Sequence, residues 1–202
     1  QGPVIDFFEV PAFGTRGRPF DLSWRTTGAT RIELQANGLP VYSPLAGINT
    51  SGSFRLGNFN ADTTFTLVAY DFNGLQVSST KSVKAVAPPR ITNFMAPPSA
   101  ATASMRITVT WTTADATFLL LRLKGGPAFL REDGVNAVVN GTTQFTVPQK
   151  GTYVLEAYNA AGDKAVEERT IDCGAPVLFT ISPELLARGE LTTMTWDVGT
   201  VT

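Results

Sequence analysis

Three tryptophans, Trp24, Trp111 and Trp196, occupy the same place in three successive copies of one pattern, 87 and 85 residues apart (111 − 24 and 196 − 111). A regular period identifies the unit that folds, and a period of this length is that of one β-sandwich domain. The first copy runs Pro3, Ile5, Phe8, then Gly17, Leu22 and Trp24, then Gly28-Ala29-Thr30 with Ile32 and Leu34, then Thr64 through Asp71, closing at Gly74. The second has Pro89, Ile91, Phe94, Val109, Trp111, Asp115-Ala116-Thr117 with Leu119 and Leu121, Thr152 through Asn159, and Gly162. The third offers Pro176, Leu178, Ile181, Gly189 and Thr192 through Trp196. Two complete domains are therefore expected, 1–87 and 88–174, followed by strands A and B of a third in 175–202. Small differences in spacing belong in loops.

Composition removes several function classes. The 16 basic and 17 acidic residues leave a formal net charge of −1, so no field draws in nucleic acid or an anionic membrane. The chain has no His, the commonest general base and metal ligand, and a single Cys, Cys173, which forbids an internal disulfide. No apolar run approaches the roughly 20 residues of a membrane span. Beginning at Gln1 without a signal peptide, the sequence is expected to be a piece of a longer protein. Hydrophobic content of 43% suffices for two sandwich cores, while only 16% of residues are charged and Thr, Ser, Asn and Gly supply much of the polarity, which suits strand surfaces.

Alternating apolar runs broken by Gly, Pro, Asn and Asp place the strands. In the first copy these are A at 4–10, B at 20–24, C at 31–35, E at 53–56, F at 64–70 and G at 76–86. Alternation points Phe20, Leu22 and Trp24 inward. In the second copy, B falls at 106–111, C at 118–123, E at 144–147, F at 152–158 and G at 165–171. Asp71-Phe72-Asn73-Gly74 and Asn159-Ala160-Ala161-Gly162 are the F–G turns. The best helical candidate is the single turn at 183–189. Val86-Ala87-Pro88-Pro89 and Cys173-Gly174-Ala175-Pro176 are short junctions, the first stiffened by its prolines.

Gly17 with Leu22-Ser23-Trp24 resembles strand B of immunoglobulin-like domains, with Trp24 and Trp111 where the first core cysteine would stand. Phe65-Thr66-Leu67 and Tyr153-Val154-Leu155 resemble strand F, with Leu67 and Leu155 at the second cysteine position. The pattern Pro-x-Ile-x-x-Phe, Leu-x-Trp, Thr-Tyr-x-Leu-x-Ala-x-Asn-x-x-Gly is similar to the Ig-like repeats of bacterial and phage surface, filament-associated and virion proteins. That resemblance spans residues 3–202. It implies an all-β chain of tandem immunoglobulin-like β-sandwiches, two complete and one truncated, in which Trp packed on Leu replaces the disulfide. Trp24, Trp111, Trp196, Leu67 and Leu155 are then core residues, not sugar-stacking platforms.

What is left for function lies in loops. Phe72 in an F–G turn and Phe129-Leu130 after a Gly-Gly-Pro turn either pack against a neighbouring domain or loop or are candidate partner contacts, because a hydrophobic side chain in a hairpin tip has few structural reasons to be there. Cys173 is either a packing thiol or an intermolecular one. Glu132-Asp133, Asp62, Asp71 and Asp115 form no calcium loop and have no nucleophile or base beside them, so no catalytic, cofactor or metal residues are expected. Asn49-Thr50-Ser51 and Asn140-Gly141-Thr142 match the glycosylation acceptor pattern only as loop residues. The expected role is non-enzymatic: structural or display modules, extracellular or on a virion, with protein partners in a larger assembly. An adhesin acting on a receptor or surface glycan through its loops is the alternative, and an accessory region of a larger extracellular enzyme is the third reading.

Overall fold

The computed structural model describes residues 2–43, 50–97, 99–100, 105–147, 150–173, 178–182 and 193–197. The described residues are all-β apart from one helical turn, and the chain divides into two compact units, Gln1–Pro89 with Tyr158–Lys164, and Arg90–Ala157 with Ala165–Thr202.

The first sandwich is built from β1 (Val4–Glu9), β2 (Phe13–Thr15), β3 (Phe20–Thr27), β4 (Arg31–Ala36), β5 (Leu39–Tyr42), β6 (Ser51–Leu56), β7 (Thr63–Tyr70) and β8 (Gln76–Val86). A three-stranded sheet ordered β1-β3-β6 faces a five-stranded one ordered β2-β8-β7-β4-β5. The chain changes sheet between β1 and β2, where Pro11 removes a ladder donor. β2 then runs parallel to the end of β8.

The opening motif acquires a physical reason here. Ile5 and Phe8 are three residues apart, which in a regular strand would put them on opposite faces. A bulge between Ile5 and Phe7 inserts Asp6, sets Phe8 opposite Trp24, and lets both Ile5 and Phe8 join the core. The second copy repeats the device, with Thr92 as the extra residue and Phe94 opposite Trp111.

The second sandwich comprises β9 (Arg90–Met95), β10 (Ser99–Ala100), β11 (Met105–Ala114), β12 (Phe118–Leu123), β13 (Ala128–Glu132), α1 (Val135–Val139), β14 (Asn140–Val147), β15 (Gly151–Tyr158) and β16 (Lys164–Cys173). Its sheets are ordered β14-β11-β9 and β10-β16-β15-β12-β13. The core gathers Phe94, Ile107, Val109, Trp111, Leu119, Leu121, Tyr153, Leu155 and Ile171, as the first gathers Phe8, Leu22, Trp24, Ile32, Leu34, Phe65 and Leu67. Trp24 and Trp111 are 1% and 2% exposed, and Leu67 and Leu155 are fully buried.

Each tryptophan crosses a glycine on the neighbouring strand, Trp24 opposite Gly52 and Trp111 opposite Gly141. A Cβ on Gly52 would lie 3.0 Å from the Trp24 ring; on Gly141 it would lie 2.2 Å from the Trp111 ring and 2.5 Å from the Ala137 carbonyl oxygen. The buried indole N–H of Trp111 donates to that same carbonyl at 2.8 Å, and Thr113 Oγ1 donates to the Val138 carbonyl at 2.8 Å. β11 thereby satisfies carbonyls that a one-turn helix would leave open.

Several expectations need correction. Strands β2, β5, β10 and β13 are additional to those read from the pattern. The helix is α1, whose Val-Asn-Ala-Val-Val sequence is rich in β-branched residues with low helix propensity. The 183–189 candidate lies outside the described residues, as does Asn49. Phe129 and Leu130 are not at a loop tip: they lie in β13, and Leu130 packs against the second core. Glu132, read as part of a loop, also belongs to β13. In the third copy, β17 (Leu178–Ser182) pairs with β18 (Thr193–Asp197). That pairing has no register shift, so Phe179 rather than Ile181 stands opposite Trp196. The Trp196 side chain lies outside the described residues.

Candidate functional site

The two F–G turns share one geometry. Asp71 Oδ1 accepts the backbone N–H groups of Asn73 at 2.9 Å and Leu75 at 2.8 Å, and Asn159 Oδ1 accepts those of Ala161 at 3.1 Å and Asp163 at 3.0 Å. Gly74 and Gly162 supply the positive φ that each turn requires, 83° and 86°. The side chain at position i of the turn thus locks the loop. What differs is the residue displayed: Phe72 in the first, 82% exposed, against Ala160 in the second. Leu75 beside it is also exposed. Among the described residues of the first sandwich, Phe72 is the most exposed large apolar side chain.

Phe129 lies in a different setting. From β13 its ring stacks on Phe145 of β14 at a centroid distance of 4.9 Å and stands edge-on to Tyr153 of β15 at 6.2 Å, while Phe145 and Tyr153 are 4.9 Å apart. With Leu123 and Thr146 these rings line a half-open apolar pocket of about 300 Å³ at the edge of the second sandwich. Phe129 is 48% exposed and forms its outer wall.

Tyr153 is buried, and its hydroxyl has no hydrogen-bond partner. Burial, with a smaller contribution from Cys173, raises its pKa above the ordinary 10.0. The folded state therefore holds the phenolic proton more tightly than the unfolded one. The stability associated with the neutral phenol is intact below pH 10 and lost as pH rises through the raised value. Tyr153→Phe should lose less stability between pH 9 and about pH 11 than the parent in urea denaturation; equal losses would contradict the burial of this hydroxyl.

Cys173 closes β16 and pairs with Ala100; it is half-buried and packs against the second core. Among the described residues, no group of three or more His, Cys, Asp or Glu is placed to hold a metal ion, and no helix is long and apolar enough to cross a membrane. The pattern gave no sign of Glu156. It is 4% exposed on β15 and bonded at 3.0 Å to Arg122 of β12. It stands next to core residues in an apolar run, and only its neighbour across the sheet reveals how its charge is compensated.

The fibronectin(III)-like modules of Clostridium thermocellum CbhA have a similar structure, with a TM-score of 0.59 and 13% identity over 86% of this chain and 94% of theirs. The fold is the immunoglobulin and fibronectin-III sandwich. An I-band fragment of titin is also similar, with a TM-score of 0.47 and 15% identity over 88% of this chain and 67% of that one. In sequence, an uncharacterized protein of Ruminiclostridium cellulolyticum is 28% identical over 185 residues, covering 89% of this chain and 46% of that protein. The chain thus spans about half the length of this relative. No family model matches.

Proposed function

We propose that this chain is a non-enzymatic run of Ig-like modules that decorates or assembles a prokaryotic cell-surface filament or a phage particle. The observation that carries this reading is repetition down to fine detail. Two sandwiches share one bulge, one Trp-over-Gly crossing and one side-chain-locked turn. Only Ala87-Pro88-Pro89 separates β8 from β9. Copying a shape in series suits a protein whose task is to build or space an object, since each module supplies the same rigid unit. The bacterial relative supports a prokaryotic setting. Its partners are proteins of the same assembly, met through loops and edges, and its place is extracellular or on the virion.

The adhesin reading is favoured by one observation, the exposed Phe72 on a locked turn. Immunogold electron microscopy of intact cells and particles, using antibody against the two sandwiches, tests the proposal. Label along a filament or over a particle surface is expected, and it should persist in a Phe72→Ser variant. Label confined to the cell interior overturns the proposal. Normal display with lost attachment in Phe72→Ser moves the conclusion to an adhesin.

A further inference from the structure

The F–G turn of the second copy shows what such a turn can be used for. Tyr158–Lys164 belongs to the first compact unit. Within that unit Asn159 is 2% exposed; its Nδ2 donates to Thr15 Oγ1 at 2.9 Å and to the Ala87 carbonyl at 3.0 Å, and Asp163 lies 3.6 Å from Arg18. The seat is the end of a sandwich, where β2 finishes beside β8. It is polar throughout, an amide against a hydroxyl and a carbonyl and a carboxylate against a guanidinium.

The turn of the first copy keeps this backbone and changes the side chains that do the seating. Asp71 N–H donates to the Leu75 carbonyl at 2.9 Å, as Asn159 N–H does to that of Asp163 at 3.0 Å. Yet Asp71 stands for Asn159, Phe72 for Ala160 and Leu75 for Asp163. A carboxylate has no N–H to give a carbonyl, and Leu75 has no charge to offer an arginine, so a seat like that of Thr15, Ala87 and Arg18 does not fit this turn. Phe72 and Leu75, 82% and 59% exposed, instead make one apolar edge on a locked loop. Leu75 is held in place from within: a Cβ on Gly2 would meet its Cδ2 at 2.6 Å.

We propose that this turn docks on the end of a neighbouring Ig-like module of the assembly, in a seat that is apolar where the Thr15 seat is polar. Apolar side chains there receive Phe72 and Leu75, and a hydroxyl, N–H or cationic group donates to the Asp71 carboxylate. The inference rests on the reading of this chain as modules within a larger assembly. Differently lettered turns on one backbone then match different module ends, which fixes the order of neighbours. The contact orients a neighbour, and display of the chain does not depend on it.

The full-length protein in its native assembly should be prepared with Phe72→p-benzoylphenylalanine, irradiated and digested, and the cross-linked peptides sequenced by mass spectrometry. Residue 72 is exposed, so the photoprobe leaves the core untouched. Adducts are expected in the segment of an Ig-like module equivalent to residues 15–18 or 85–87 here. Adding Leu75→Asp, which restores the charge found at Asp163, should remove most of them. Adducts to glycan, to a protein without an Ig-like module or to another face of a module overturn the proposal, as do the absence of adducts and a yield that Leu75→Asp leaves unchanged. The position of the immunogold label does not enter these outcomes, so display and docking can fail separately.

Discussion

Replacing Trp111 with Ala is expected to destabilise the second sandwich by about 3 to 5 kcal/mol, the cost of emptying a large, fully packed aromatic site. Two losses combine. The ring leaves a cavity between Phe94, Val109 and Leu155, and the carbonyl of Ala137 loses its indole donor. Because a whole domain has only about 5–15 kcal/mol in hand, the variant should sit at the margin of folding. Urea denaturation followed by circular dichroism would give the magnitude, and hydrogen exchange would localise the loss to residues 90–173. A variant that melted like the parent would remove Trp111 from the centre of this core.

Gly141→Ala should come close behind, at about 3 kcal/mol, the upper end of what overpacking a core costs. The added methyl meets the Trp111 ring at 2.2 Å and the Ala137 carbonyl oxygen at 2.5 Å, so a buried ring and a backbone group would both have to move. Gly52→Ala is the internal control. There the three nearest atoms all belong to the Trp24 ring, the first at 3.0 Å, and the expected loss is about 1 kcal/mol. Because the Gly141 clash is largely with Trp111, the double variant Trp111→Ala/Gly141→Ala should be little worse than Trp111→Ala alone. Denaturation of the four proteins under one set of conditions checks all of this, and equal losses at Gly52 and Gly141 would show that the glycine opposite Trp111 has no special packing role.

These glycines show how much of the fold could be read along the chain. The tryptophan period, the alternation in Phe20-Asp21-Leu22-Ser23-Trp24 and the breakers around it are local signals, and they located the main strands and both cores. A strand partner is a non-local fact. Nothing in Asn140-Gly141-Thr142 says that Gly141 lies under Trp111, and nothing in Ser51-Gly52-Ser53 says the same of Trp24. Edge strands were missed for a related reason: β5 and β13 are buried on one side at most, so their sequences carry little alternation.

The candidate site divides along the same line. Phe72 could be found because its turn chemistry is contiguous, Asp71 and Gly74 flanking an apolar residue that stands 82% exposed. Phe129 invited the same reading from a nearby Gly-Gly-Pro, yet its surroundings are Phe145 and Tyr153, 16 and 24 residues further on. Whether an apolar residue is a projecting tip or a pocket wall depends on what lies across the sheet.

The sequence by itself determined the all-β class and the place of Trp24 and Trp111 in the two described cores, because period, alternation and composition act over a few residues and repeat from copy to copy. Tertiary structure alone decided the rest. It made a helical turn of Val135–Val139 by giving its carbonyls to Trp111 and Thr113, buried Glu156 against Arg122, and set Phe129, Phe145 and Tyr153 around one apolar pocket. Each of these depends on atoms brought together from strands far apart in the chain, where packing and desolvation outweigh local preference.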